Sequence, residues 1–369
     1  MVMTSAKPDT SGAVRPTLVD GDIHTTFASS TVLKKYLSPR WHEYHDQYAK
    51  WGYDGSNYPK DGLNGGSRGD SVPPEGGPPG SSLPFLREQL LDEWGIDLAI
   101  NNPLGHSQKN RHPEYLAALC SATNDWQLAE WTEPEPRIKA SITIPSEYAE
   151  LAAREIDRLG PNPNYVQVLM SIRTAEPLGR PRYWPIYEAA ERHGLPIGIH
   201  FGGHSGHPIT GTGWPSYYYE YHSGMSQSFQ SQVISFIYEG VFERFPGLKM
   251  VMIEGGFAWL PPLAWRLDSH WKRLRRDLPH LKRLPSETIR DHIWLTTQPV
   301  EEPHHPEHFV ELLEQGNLFD RLMFATDYPH WDFDAPSDVL PKIKLPDGFE
   351  QKLFFETALG FYRLPSVGA

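Results

Sequence analysis

The sequence predicts an α/β protein: a (β/α)₈ TIM barrel with a long insertion after strand 1 and an aromatic-rich loop after strand 5. Two observations predict this fold. Short apolar segments rich in β-branched residues alternate with helical segments, which is typical of a parallel sheet. The strand-like segments number eight, as a closed barrel of this type requires.

The predicted strands are short and apolar, and they fall at residues 17–23, 96–101, 137–143, 164–169, 195–200, 248–253, 292–296 and 321–326. Helical patterns occupy residues 113–131, 146–159, 183–193, 226–245, 259–278, 307–315 and 340–364. This rhythm places residues 16–369 in a single barrel domain. The polar residues 1–15 are expected to form a disordered leader.

The first two strands are separated by residues 28–92, an insertion too long for one helix. Within it, residues 53–82 are rich in Gly, Pro, Ser and Asp and have no apolar periodicity. Long loops of this kind are usually functional or disordered. An insertion after the first strand lies at the C-terminal mouth of a barrel, where active sites are found. We expect a lid or a subunit-contact arm rather than a linker between domains.

A second long loop, residues 202–228, follows the fifth strand and carries clustered aromatic side chains: Trp214, Tyr217, Tyr218, Tyr219 and Tyr221. Such a cluster lines an apolar substrate pocket or buries a subunit interface. The interface is favoured, because the run is longer than one small ligand needs. We therefore expect a homodimer or a higher homo-oligomer.

Composition excludes several classes of function. The formal net charge of -12 argues against nucleic acid as a partner, because its binders need clustered positive charge. No apolar run approaches the roughly 20 residues that cross a bilayer, so no membrane partner is expected. Cys120 is the single cysteine, so no intramolecular disulfide can form. Because the N-terminus also lacks a secretion pattern, we expect a cytoplasmic protein.

Three of the predicted strands end in residue types that bind divalent cations. Asp22 and His24 leave the same face of strand 1, His200 ends strand 5, and Asp327 ends strand 8. Each residue by itself has an ordinary alternative, as a turn cap, a core histidine or a turn residue. Their coincidence at the ends of barrel strands predicts one metal site. A mixed nitrogen and oxygen set suits Zn²⁺, which we favour, and also Mn²⁺ or Fe²⁺.

Several segments resemble the amidohydrolase-related (amidohydrolase 2) family, in the aminocarboxymuconate-semialdehyde decarboxylase-like branch of the amidohydrolase superfamily. They are Asp-x-His at Asp22, Gly-Ile-His-Phe-Gly at Gly198, Glu-Gly-Gly-Phe-Ala-Trp-Leu-Pro at Glu254, Phe-Ala-Thr-Asp-Tyr-Pro-His at Phe324, and the C-terminal segment from Phe355. The resemblance covers the chain from residue 17 onward. It implies a mononuclear metal held by Asp22, His24, His200 and Asp327, with Asp327 also moving protons.

The chain departs from the family pattern at two positions. Asp22 replaces the histidine or glutamate that often opens the family's first motif, and as a shorter carboxylate it should still bind the metal. The larger departure is on strand 6. Many family members carry a histidine at the end of strand 6, where this chain has Glu254. A carboxylate there can orient water, accept its proton or bind the metal. As an anion, it would also repel a substrate carboxylate.

Further residues are expected around the barrel mouth. His204 follows strand 5 and is a candidate base or substrate contact. The candidate substrate-binding residues follow strands 2, 4, 5 and 8: Asn102, Arg173, Trp214, His330 and Trp331. Arg173 is suited to a substrate carboxylate, although a loop salt bridge explains it equally well.

We expect a metal-dependent hydrolase in which metal-activated water attacks an amide, ester or lactone of a cyclic or aromatic small molecule. The alternative is non-oxidative decarboxylation of an aromatic or unsaturated acid, which the repulsion from Glu254 makes less favoured. A non-catalytic binding barrel is the minor alternative, since every predicted ligand position holds a competent residue.

Overall fold

The structure is a computed structural model that describes residues 17–29, 31–48, 66–104, 112–203 and 211–365. In this part of the chain, eight parallel strands form one sheet in the order β1 to β8, so the predicted barrel is confirmed. The strands are β1 Val19–Ile23, β2 Leu98–Asn101, β3 Ile138–Thr143, β4 Tyr165–Arg173, β5 Ile197–Gly203, β6 Met250–Ile253, β7 Ile293–Thr296 and β8 Leu322–Met323.

Helices follow the strands and cover the outside of the sheet. The α-helices are α1 His42–Tyr48, α2 Leu83–Leu86, α3 Pro113–Gln127, α4 Ala149–Leu159, α5 Trp184–His193, α6 Tyr218–Ser223, α7 Met225–Tyr238, α8 Val241–Arg244, α9 Leu260–Leu274, α10 Pro285–His292, α11 Glu307–Gly316, α12 Phe349–Gln351 and α13 Thr357–Tyr362. The sequence patterns missed α10, which is short and mostly polar. Its first turn is held by Asp268 of α9, which accepts from the backbone and hydroxyl of Ser286.

The barrel closes where the first strand meets the last. The backbone N–H of Gly21 donates to the carbonyl of Phe324 at 2.8 Å, and the N–H of Asp327 donates to the carbonyl of Asp22 at 3.0 Å. These bonds join segments about three hundred residues apart. They place the end of β1 directly beside the loop that follows β8.

A buried carboxylate reinforces this seam. One oxygen of Asp20 accepts from the backbone N–H groups of Thr326 at 2.9 Å and Asp22 at 3.1 Å. Its other oxygen accepts from the Thr326 hydroxyl at 2.6 Å. Asp20 is fully buried, so these donors have no access to competing water. Asp20 therefore couples the strand that carries Asp22 to the loop that carries Asp327.

The C-terminal helix closes the N-terminal end of the barrel. Phe361 and Tyr362 of α13 pack in one buried cluster with Val19, Leu98 and Val166, which lie at the starts of their strands. The opposite end, where the strands finish, is therefore the mouth.

Part of the insertion after β1 folds back onto that mouth. The N–H of Thr26 donates to the carbonyl of Gly80 at 2.9 Å, and the N–H of Arg68 donates to the carbonyl of Pro329 at 2.9 Å. These contacts place residues 66–82 beside the loops that follow β1 and β8. Residues 49–65 lie outside the described part of the chain, so the lid and the domain boundaries stay predictions.

Within the described ranges, no helix is long and apolar enough to cross a lipid bilayer.

We predict that Asp20→Ala lowers the free energy of unfolding by about 3 kcal/mol, because it leaves the buried donors of Asp22 and Thr326 without an acceptor. Urea denaturation of the metal-free protein measures this change. The control is Asp92→Ala, which removes an exposed pair with Arg137 and should cost less than about 1 kcal/mol. Equal losses in the two variants would contradict the seam role.

Candidate metal centre

The predicted ligands from β1, β5 and the loop after β8 come together in one buried cluster at the mouth. The Nε2 atom of His24 lies 2.8 Å from Asp327 Oδ1 and 3.4 Å from Asp22 Oδ1. The Nε2 atom of His200 lies 3.2 Å from Asp22 Oδ2. All four side chains are at most 6% exposed. His24 and Asp327, which are 303 positions apart in the sequence, thus share one small volume with the other two ligands.

The orientation of both imidazoles is set by backbone carbonyls. The Nδ1 atom of His24 lies 2.6 Å from the carbonyl of Asn102, and that of His200 lies 2.6 Å from the carbonyl of Phe201. A carbonyl can only accept, so each Nδ1 carries a proton and donates it. In the neutral ring, each Nε2 then presents a lone pair to the cluster. This is the arrangement in which histidine binds metal.

Glu254 joins the same cluster from the end of β6. Its Oε2 atom lies 3.5 Å from His200 Nε2. Ligand atoms of Asp22, His24, His200 and Glu254 all lie within 4.8 Å of one another. An overlapping group consists of His24, Asp327 and His330, in which His330 Nδ1 lies 2.7 Å from Asp327 Oδ1.

Two of the carboxylates sit on unusual backbone. Glu254 has φ 59° and Asp327 has φ 61°, the left-handed region that non-glycine residues rarely adopt. Glu254 follows β6 directly, and Asp327 lies in the loop after β8. Such conformations cost free energy and cluster at functional sites, where the surrounding structure enforces them.

The cluster fits a divalent cation. Among the described residues, no hydrogen-bond donor reaches Asp327 Oδ2 or Glu254 Oε2, although both atoms are buried. Unpaired buried carboxylate oxygens are costly, and a cation bound between them removes that cost. Imidazole nitrogens and carboxylate oxygens are ligands for Zn²⁺, Mn²⁺ and Fe²⁺ alike, so the donor types by themselves do not select one metal.

Several carboxylates lie close together in the cluster, and the pKa values of its side chains are shifted. Burial raises the pKa of Glu254 well above its ordinary value, and the charge on Asp327 raises it further. Burial also acts to raise the pKa of Asp22, but the charges on His24 and His200 outweigh it and lower the pKa. For His24, burial lowers the pKa, and the charge and hydrogen bond of Asp22 overcome this and raise it well above its ordinary value. Carboxylates in such proximity need positive charge between them.

The side chain of Asn102 orients the carboxylate of Asp22, one of the predicted ligands. Its Nδ2 donates to Asp22 Oδ1 at 2.9 Å, and its Oδ1 accepts from Ser141 Oγ at 2.6 Å and Gln167 Nε2 at 2.8 Å. The hydroxyl of Tyr362, on the helix that closes the barrel bottom, donates to Gln167 Oε1 at 3.3 Å. A chain of buried hydrogen bonds thus runs along the barrel axis from α13 to Asp22.

The other predicted contacts are spread around the mouth. The ring of His330 stacks on His24 with centroids 4.5 Å apart. Arg173, at the end of β4, is 9% exposed and donates through Nε to the carbonyl of Gly202 at 3.0 Å. Trp214 and Trp331 are about half exposed. His204 lies outside the described residues.

A polar contact that no sequence pattern indicated joins the loops after β5, β7 and β8. Asp332 Oδ2 lies 2.9 Å from His222 Nε2 of α6 and accepts from Gln298 Nε2 at 2.8 Å. Beside it, Trp331 Nε1 donates to the hydroxyl of Tyr218 at 2.7 Å. These residues come from separate loops, and no spacing in the sequence marks them as partners.

The chain is similar in sequence to proteins of known activity. The family model described as amidohydrolase matches residues 19–364. A γ-resorcylate decarboxylase from Polaromonas sp. is 24% identical over 303 residues, which cover 75% of this chain and 86% of that protein. A second γ-resorcylate decarboxylase, from Rhizobium sp., is 23% identical over 274 residues, which cover 68% of this chain and 78% of that protein.

Solved structures share the fold. The 5-carboxyvanillate decarboxylase from Sphingomonas paucimobilis has a TM-score of 0.70 and 21% identity, covering 95% of this chain and 100% of that one. The dihydroxybenzoic acid decarboxylase from Polaromonas sp., solved with bound manganese and 2-nitroresorcinol, has a TM-score of 0.65 and 17% identity. The alignment with that structure covers 95% of this chain and 98% of the other.

These relatives overturn the expectation that the chain is a hydrolase, because those named are decarboxylases. The argument for hydrolysis counted Glu254 as a lone anion that would repel a substrate carboxylate. In the structure, Glu254 lies beside the imidazole of His200 in a cluster that fits a divalent cation. The charge of that cation attracts a carboxylate, so the repulsion argument was incomplete.

We predict that His200→Ala raises the Kd for Mn²⁺ at least about 100-fold. Removing a residue that hydrogen-bonds a metal ligand weakens metal binding by about 10- to 100-fold, and removing the ligand itself should weaken it more. Titration of the metal-free protein against a chromophoric chelator measures the Kd. His193→Ala serves as the control, because that side chain pairs with Asp157 outside the cluster. Metal binding in His200→Ala that matches the control would remove His200 from the site.

We predict that Gln167→Met weakens Mn²⁺ binding about 10-fold, since Asn102 loses the partner that orients it toward Asp22. Gln232→Met is a matched control, because Gln232 also makes buried hydrogen bonds, with the backbone of Ile172 and Leu178. Both variants should lose thermal stability, and only the first should lose metal affinity. A similar Kd in the two variants would show that the axial hydrogen bonds do not reach the site.

Proposed function

The chain belongs to the amidohydrolase family, and from this premise we propose that it is a metal-dependent, non-oxidative decarboxylase of an aromatic carboxylic acid. The buried cluster of Asp22, His24, His200, Glu254 and Asp327 at the barrel mouth carries the proposal. The decarboxylase relatives support this reaction over others that the same fold can host.

The reaction requires that the ring carbon bearing the carboxylate receives a proton. The carbon–carbon bond to the carboxylate then breaks, its electrons return to the ring, and CO₂ leaves. A bound divalent cation would supply positive charge that holds the substrate carboxylate and an adjacent oxygen. Sequence reasoning favoured Zn²⁺, whereas the manganese bound by a structural neighbour supports Mn²⁺ as a candidate of equal standing.

Asp327 is assigned the proton transfer to the ring carbon. His330 Nδ1 lies 2.7 Å from Asp327 Oδ1 and holds that oxygen in place. The other oxygen, Oδ2, is buried and has no partner within the described residues. A carboxyl group anchored through one oxygen presents the other in a defined direction, which is what directed proton transfer needs. His204 stays a candidate for the same task.

Substrate binding is assigned to the rim of the mouth. The guanidinium of Arg173 is largely buried and lies 5.8 Å from the centre of the Tyr221 ring. A buried guanidinium suits a carboxylate or a phenolate oxygen of the substrate. His330, Trp331 and Trp214 offer aromatic surface for a ring-shaped substrate.

The exposed aromatics of the loop after β5 support self-association. Tyr217 is 70% exposed and Tyr219 is 80% exposed, and Trp214 lies in the same loop. Exposed aromatic side chains in one loop are typical of a protein interface. We assign this loop to a homodimer contact.

Product analysis tests the proposed reaction. The Mn²⁺-loaded protein, incubated with 2,6-dihydroxybenzoate, 5-carboxyvanillate and related hydroxybenzoates, should release CO₂ and the matching phenol from at least one of them. In D₂O the phenol should carry deuterium at the carbon that lost the carboxylate.

Asp327→Asn is the matched variant and should lower kcat by at least about 100-fold, because the amide cannot supply the proton. Treatment with a chelator should abolish turnover, and added Mn²⁺ should restore it. Formation of an acid with an amine or alcohol from an amide or ester substrate, with no CO₂ from any aromatic acid, would refute the proposal.

A further inference from the structure

We propose that Glu254 binds the cation directly, so that the site offers two imidazoles and three carboxylates and prefers Mn²⁺ to Zn²⁺. This inference rests on the proposed function, because it concerns the metal of the same site. Of the three roles open to Glu254, orienting water, accepting its proton or binding the metal, it selects the last.

The position of Glu254 follows from strand pairing. His200 of β5 pairs with Ile253 of β6, and Glu254 is the next residue along the chain. Its carboxylate therefore emerges at the level of the His200 imidazole, with Oε2 at 3.5 Å from Nε2. The side chain is 6% exposed, so water at the mouth does not solvate it freely.

The backbone around Glu254 is held rigidly. The N–H of Glu254 donates to Thr296 Oγ1 at 3.2 Å. Just beyond it, the half-buried carboxylate of Glu301 accepts from the N–H groups of Phe257 at 2.9 Å and Ala258 at 3.0 Å. These contacts support the left-handed conformation of Glu254, which would otherwise relax. Because the backbone is hydrogen-bonded at Glu254 and just after it, the carboxylate of Glu254 is held in one position.

The contact between Glu254 and His200 leaves one carboxylate oxygen without a hydrogen bond. His200 donates its Nδ1 proton to the carbonyl of Phe201, so Nε2 is the ring nitrogen that faces the cluster. Asp22 Oδ2 lies 3.2 Å from that nitrogen and Glu254 Oε2 lies 3.5 Å from it, and Oε2 has no hydrogen-bond partner among the described residues. A cation in this space would contact both oxygens and the nitrogen together, which removes the cost of the unpaired oxygen.

The number of carboxylates bears on metal choice. Zn²⁺ is usually satisfied by four ligands, with sulfur or nitrogen prominent among them. Oxygen ligands suit harder cations such as Mn²⁺, which accept more ligands. Asp22, Glu254 and Asp327 all supply oxygen, whereas His24 and His200 supply nitrogen. Removing Glu254 should therefore harm Mn²⁺ binding more than Zn²⁺ binding.

Metal titration tests the inference directly. Metal-free wild type, Glu254→Gln and Glu254→His are titrated with Mn²⁺ and with Zn²⁺ against a chromophoric chelator. Glu254→Gln should raise the Kd for Mn²⁺ at least about 10-fold, with a smaller change for Zn²⁺. Glu254→His supplies nitrogen in place of oxygen, and it should shift the preference further toward Zn²⁺.

The control is Glu135→Gln, which removes a buried carboxylate paired with Arg87 and Arg137 outside the mouth. It should lower thermal stability and leave both Kd values within about two-fold of wild type. X-ray absorption on the Mn²⁺ forms provides a second readout, because wild type should show one more protein ligand than Glu254→Gln.

The outcomes separate the two proposals. Unchanged Kd values in Glu254→Gln, with decarboxylation lost, overturn the ligand role and leave the proposed function intact. Equal loss of affinity for both cations overturns the Mn²⁺ preference. Wild type that binds no cation, at any concentration tested, overturns the proposed function and the inference together.

Discussion

The structure depends on one electrostatic constraint: buried carboxylates and imidazole nitrogens converge on a single point. Burial strengthens repulsion between like charges, and it removes the water that would screen them. Two oxygens, on Glu254 and Asp327, have no donor within the described part of the chain. A site of this kind is stable only with positive charge at its centre. The convergence therefore identifies a metal centre more firmly than any single residue does.

The scaffold holds this unfavourable cluster together by covalent connectivity and buried hydrogen bonds. Asp20 ties the strand of Asp22 to the loop of Asp327, so two ligands cannot separate without breaking the barrel seam. Asn102 holds the carboxylate of Asp22 and also accepts from His24. The folding free energy of the barrel as a whole thus offsets the repulsion within the cluster. In this fold the binding groups lie at the mouth, and the stability comes from the rest of the barrel.

The same arrangement explains how a hydrolase-like frame can serve decarboxylation. A cation that would activate water can equally hold a substrate carboxylate, and the residues around it decide which reaction follows. Under the proposed function, Arg173, Trp331 and the loop after β5 are the groups assigned to contact the aromatic acid. The contact of His222 with Asp332 joins that loop to the loop after β8. The rim is therefore built from segments that the barrel brings together.

The sequence by itself determined the barrel, because strand and helix periodicities are local properties of neighbouring residues. It also pointed to Asp22, His24, His200 and Asp327, since strand ends in a barrel share one mouth. Only the tertiary structure showed that Asn102 supports Asp22 and that Glu254 lies beside His200. Those relations depend on strand register and on distances between segments remote in the chain. Sequence patterns contain the order of residues along the chain and carry no measure of such distances.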